Sequence, residues 1–151
     1  MYEQLDHKQD LTTYSAGLIE TLLRDMAFSI QKVLDKPDAA DVRDLRRLCL
    51  RLRHALRVFA RLLPGKASRK IRRRLGVMQD LLAAVRSCDV ALEILKQESI
   101  APVVSARDRK KITAVLELER RRSLRPLRLR LRKAHRSDAL QRWRTRLLAS
   151  G

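Results

Sequence analysis

Between residues 43 and 61 the sequence repeats arginine at helical intervals. At about 100° per residue, Arg43, Arg46, Arg53, Arg57 and Arg61 fall within a sector of roughly 80° on one helix. Arg47 and Arg51 flank this row on its far side, and Leu50 is its one interruption. A guanidinium is planar, keeps its charge near neutrality and donates two parallel hydrogen bonds to an oxyanion. A row of them therefore suits a ligand that repeats its anionic groups. An ordinary solvated face alternates sign at i, i+4. Here Asp41 and Asp44 stand at the start and no acid follows before Asp80. Like charges at that spacing each destabilise a helix by a few tenths of a kcal/mol, so the row reads as a binding face rather than a plain solvated one.

Two further clusters carry the same chemistry. Lys66, Arg69, Lys70, Arg72, Arg73 and Arg74 occupy the start of a helix, where the macrodipole favours acids and cations cost stability unless an anion arrives. The free N–H groups of that first turn add to the attraction for phosphate, and Arg69, Lys70 and Arg73 are its candidate ligands. Residues 120–136 supply a third cluster, in which Arg121, Arg125, Arg128 and Lys133 are candidates for the anion and others are open to a structural role.

Catalytic patterns are thin. His7, His54 and His135 adjoin no cysteine or acidic cluster, and neither HExxH nor GxxxxGK[ST] occurs. No metal, cofactor or enzyme activity is expected. Asp80 and Asp89, nine residues apart, suit arginine pairing inside a bundle better than acid/base work. The spacing suggests Arg86 as a local partner of Asp89. Cys49 and Cys88 lack metal spacing and read as buried, inert thiols.

These side chains need helices to hold them. Leucine, alanine and arginine dominate, while aromatics make up only 3%, which argues for long helices over a sandwich or barrel. A first helix spans about 12–34 and stops at Lys36-Pro37-Asp38, with residues 1–11 expected as a flexible lead. The second, about 39–63, has Leu45, Leu48, Cys49, Leu52, Leu56, Phe59 and Leu63 on one buried face and ends at Pro64-Gly65. The third runs about 67–98, through Ile71, Leu75, Met78, Leu82 and Val85. A fourth starts after Ser105, whose hydroxyl with Asp108 resembles a capping box. Pro126 should kink or break it, and LRLRLR at 127–132 alternates as a strand would; with no partner strand, the segment is expected to stay helical. Ser137 or Asp138 would cap a last helix carrying Leu140, Trp143 and Leu147. The expected fold is all-α: one domain over 1–151, an antiparallel bundle of four long helices plus a short C-terminal one.

The 35 basic residues outnumber 17 acidic ones, for a formal charge of +18. Thirteen basic against two acidic residues lie in 41–74, and 16 against four in 107–151, so two segments hold nearly all the excess. A domain so charged repels itself and calls for an anionic partner. With no long apolar run and no signal-like N-terminus, a cytoplasmic protein without membrane contact is expected.

The string VRDLRRLCLRLRHALRVF, residues 42–59, resembles the signature helix of the CHAD family, the conserved histidine α-helical domain. LGVMQDLLAAVRSCDVALE, residues 75–93, is similar to that family's second motif, with Arg86, Asp89 and Val90 in register; RSDALQRW, residues 136–143, is weakly similar to a later helix. The resemblance implies a helical bundle whose basic surface binds inorganic polyphosphate without catalysis, often on polyphosphate granules. Position by position, it assigns the signature-helix basic role to Arg46, Arg51, Arg53 and Arg57. Arg43 stands where the family has its namesake histidine, Leu50 where a second basic residue is common, and Ser87 where the motif's first aspartate falls. Family members are usually about twice this long and built from two similar halves, so a homodimer rebuilding a two-half cavity is one expectation, with Leu50, Leu129 and Leu131 either at that contact or in the core. Non-specific nucleic-acid binding and docking to an acidic protein surface remain the alternative readings.

Overall fold

The computed structural model describes the backbone of residues 2–148 and the side chains of residues 7–148; residue 1 and residues 149–151 of the expected domain lie outside the described residues. Five helices follow in order: α1 Tyr2–Asp35, α2 Ala39–Val58, α3 Gly65–Leu95, α4 Ala106–Arg136 and α5 Ala139–Leu148. Short 3₁₀ turns at Ala60–Leu62 and Glu98–Ile100 help close two of the connections, and no strand occurs among the described residues. The fold is thus the all-α bundle expected.

Each helix exists because one stripe of it is apolar. On α2, Val42, Leu45, Cys49, Leu52 and Leu56 are fully buried, and on α3 so are Leu75, Leu82 and Val85. Ile19, Met26 and Val33 of α1 and Leu127 and Leu131 of α4 complete the core. Each such leucine or isoleucine contributes about 1.5–3 kcal/mol relative to exposure. Consecutive helices pack against each other as antiparallel neighbours, and α5 folds back across α1, α3 and α4 to seat Trp143 in the core.

Helices α1 and α4 depart from the sequence reading. Helix α1 starts at Tyr2, so residues 2–11 continue the helix rather than leading into it; neither glycine nor proline stands between Tyr2 and Ala16 to stop it. Helix α4 runs unbroken through Pro126. Leu124, Leu127 and Leu131 are buried on either side of the ring, and holding that register outweighs the lost hydrogen bond; Arg122, whose carbonyl is orphaned, is exposed to water. The LRLRLR stretch resolves as Leu127 and Leu131 inward and Leu129, 71% exposed, outward, so Leu131 is core and not an interface residue. At the start of α4, the Ser105 hydroxyl accepts the Asp108 N–H at 3.1 Å, as the cap chemistry required.

A buried ion pair ties the bundle near its top. Asp89 of α3 accepts from Nε of Arg120 on α4, and Arg120 Nη2 also donates to the Pro37 carbonyl in the α1–α2 connection, at 2.6 Å. The expected local pair of Asp89 with Arg86 does not form; burial of Asp89 demands a partner inside the bundle, and Arg120 is there. Beyond this clamp, residues 90–95 of α3 and 106–119 of α4 extend past the start of α2 as an overhanging hairpin, with Val103 exposed near its tip.

Candidate functional site

The two lateral edges of α2 face different neighbours, and this divides the arginine row. One edge turns Arg46, Leu50, Arg53 and Arg57 toward α3, which answers with Arg72, Gly76, Gln79, Ala83 and Arg86 at alternating intervals of four and three. The Arg53 guanidinium lies flat over α3 and donates from Nη1 to Gln79 Oε1 at 3.2 Å. A β-carbon on Gly76 would sit 3.4 Å from Arg53 Nη2. A small residue here therefore lets a cation lie close over the helix. Small residues at 76 and 83 leave a shallow groove between the two helices, rimmed by guanidiniums and filled over Gly76 by that of Arg53. At its upper end the groove opens into a cleft of about 470 Å³ lined by Arg46, Arg86, Ser87, Val90 and Ile94.

Apart from Arg53, the groove's arginines have no side-chain hydrogen bond or ion pair among the described residues. Nε of Arg46 and of Arg72 are buried without a hydrogen-bond partner among the described residues, a state that costs free energy until an acceptor arrives. The same holds for Nε of Arg109 and Arg128 on α4. Of the predicted site residues, only Arg43 forms an ion pair among the described residues, with Asp44 at 3.6 Å.

Arg47 and Arg51 leave the row. They line a second cleft between α1 and α2 together with Lys32 and three acids, Asp25, Asp41 and Asp44, so that side is close to charge balance. Arg57 and Arg61 are exposed near the bottom of α2, close to the exposed Arg69, Lys70 and Arg73 at the start of α3. The first turn of α3 holds no acid, which leaves its positive end uncompensated. Arg121, Arg125 and Arg128 follow one edge of α4, the first two exposed and Arg128 half-buried, away from the α2–α3 groove. Lys133 faces the opposite edge of α4, toward α3 and α5. Sequence reasoning missed Gln79 and did not assign Arg72, Gly76 or Arg86 to the site. Their intervals on α3 match those on α2, which was the available signal.

His54 is exposed on α2, and no group of three or more His, Cys, Asp or Glu is placed to hold a metal ion among the described residues. Both cysteines are free and buried. Burial pushes the Cys49 thiol up to about 12, and its S–H donates to Met78 Sδ at 3.6 Å. Burial, then the nearby Glu119 and Asp89, raises Cys88. Neither is a poised nucleophile. No helix among the described residues is long and apolar enough to cross a membrane.

The family model for the CHAD domain matches residues 17–151. The chain belongs to the CHAD family. The match takes in the arginine groove, the Asp89–Arg120 clamp and α5, and it starts within α1, two residues before the first core residue, Ile19. Comparison with curated proteins and with solved structures gives no match.

Proposed function

We propose that this CHAD domain is a non-catalytic polyanion-binding module that holds inorganic polyphosphate along the α2–α3 groove. The family is associated with polyphosphate binding. The observation that carries the assignment to this groove is the facing set of Arg46, Arg53 and Arg57 with Arg72 and Arg86, lying over Gly76 and Ala83, with no ion-pair partner among the described residues. Guanidiniums bind and position phosphate but supply no general base at neutral pH, which supports binding without turnover. Arg43, Arg61, Arg69, Lys70 and Arg73 would extend the track at its two ends. Arg47 and Arg51, beside their acids, are expected to contribute less.

Nucleic acid is the nearest competitor, since its backbone attracts the same side chains. Among the described side chains no aromatic lines the groove: Trp143 is 3% exposed in the core, the exposed Tyr14 and Phe28 lie on α1, and Phe59 packs edge-on against Tyr14. Stacking on bases would need such a platform. Docking of an acidic protein surface finds some support in Val90 and Ile94, 37% and 43% exposed at the upper end of the groove. Cytoplasmic residence, on polyphosphate granules where these exist, and a homodimer that pairs two such grooves are part of the same proposal.

The test is competition between long-chain polyphosphate and a DNA duplex at matched phosphate and about 0.15 M salt, where screening reaches roughly 8 Å. Polyphosphate should win, and Arg46→Gln with Arg53→Gln and Arg57→Gln should weaken it by a hundredfold or more, at about 1.5 kcal/mol or above per charged contact, with helicity intact. Equal binding of both polymers, or unchanged affinity in the triple variant, would overturn the assignment. Light scattering with and without the polymer decides the dimer: a monomeric mass in both rules it out.

A further inference from the structure

A second cavity lies on the opposite flank of α3, between α3, α4 and α5. Its volume is about 410 Å³, within the usual range for small-ligand clefts. Five cations from the three helices converge on it: Arg74, Arg130, Lys133, Arg142 and Arg146, with no carboxylate in the lining. None of the five forms an ion pair among the described residues. Met78 and the edge of Trp143 form its apolar wall.

The turn between α4 and α5 occupies two of the carbonyls that would otherwise compete for these cations. The last turn of α4 would ordinarily direct its free carbonyls at such a site. Here the Lys133 carbonyl is taken by both the N–H and the hydroxyl of Ser137, at 3.0 and 2.7 Å, and the His135 carbonyl by the Asp138 N–H at 3.3 Å. Asp138 adopts a left-handed backbone with φ of 53°, an uncommon state outside glycine that aspartate tolerates. That reversal starts α5 at once, bringing Ala139 and Arg142 to the cavity wall. Arg142 is steadied there by a 3.3 Å hydrogen bond to the Ser137 hydroxyl.

We infer that this cavity is a separate site for a compact, highly charged phosphate ligand, of the class of inorganic tripolyphosphate. Walls on three sides favour a short ligand over a chain running through, and the convergence of five cations asks for several negative charges in one place. Arg72 and Arg74 are two residues, roughly 200°, apart on α3, so the groove and the cavity open on different flanks. The inference does not depend on what the groove binds.

The experiment is calorimetric titration of the full chain with inorganic tripolyphosphate at about 0.15 M salt. Saturable binding is expected. Arg142→Gln with Arg146→Gln should weaken it roughly tenfold or more, and Lys133→Gln should do so from a different helix; Arg107→Gln with Lys110→Gln, at the start of α4 and outside both groove and cavity, should leave it unchanged. All of these side chains are exposed, and circular dichroism confirms that the variants fold. Absence of saturable binding, or unchanged affinity in the cavity variants, would overturn the inference. Failure of long-chain polyphosphate to bind would bear on the groove alone.

Discussion

Gly76 shows how a single residue reconciles a long helix with a cationic surface. An alanine there meets Arg53 at ordinary contact distance, 3.4 Å, and gains about 0.8–1 kcal/mol of helix propensity. Gly76→Ala should therefore raise the urea midpoint while leaving polyphosphate affinity within twofold. Gly76→Leu should lift the guanidinium off α3 and lower affinity as Arg53→Gln does. Equal polymer affinity for the leucine variant and the native chain would separate Arg53 from the site. In sequence this glycine is only a poor helix former between apolar positions. Its role depends on a neighbour 23 positions earlier, which no local pattern encodes.

At the scale of elements, amphipathic periodicity made α2, α3 and α5 legible, together with the cap at Ser105. Pro126 was harder, because local propensity and the packing of Leu124, Leu127 and Leu131 pull in opposite directions, and packing prevails. Charge on α2 was legible as a row, but its division between Arg46, Arg53 and Arg57 on one edge and Arg47 and Arg51 on the other depends on which helix lies alongside. Arg120 illustrates the limit. In sequence it is one arginine of a run, whereas in the bundle it holds α3, α4 and the α1–α2 connection together. Removing its partner by Asp89→Ala should destabilise the fold by about 2–4 kcal/mol, because an unpaired cation stays buried. Adding Arg120→Met should restore much of this. Urea unfolding of both variants measures it, and additive losses would show that the pair is not coupled.

For the whole molecule, the excess of positive charge makes the folded state sensitive to its ionic surroundings. Few ion pairs offset the repulsion, so screening should stabilise this protein where it weakens one laced with salt bridges. The thermal midpoint should rise between about 0.05 and 0.5 M sodium chloride. It should rise further when polyphosphate is added, by an amount set by ligand concentration over Kd; a hundredfold excess corresponds to about 2.7 kcal/mol. Scanning calorimetry reads both, and a midpoint falling with salt would mean that favourable ion pairs dominate.

The overhanging hairpin gives the bundle a gradient of cooperativity. Past the Asp89–Arg120 clamp, α3 and α4 have only each other to lean on, and Val90, Ile94, Ile112, Val115 and Leu118 stay partly in water. Backbone amides there can open without disturbing the four-helix body. The upper end of the arginine groove, where Val90 and Ile94 line the cleft beside Arg46 and Arg86, thus lies on this less buried hairpin. The lower end, between Arg57 and Arg72, adjoins the buried Leu56 and Ile71, so a long chain of phosphates would meet one fixed anchor and one compliant one.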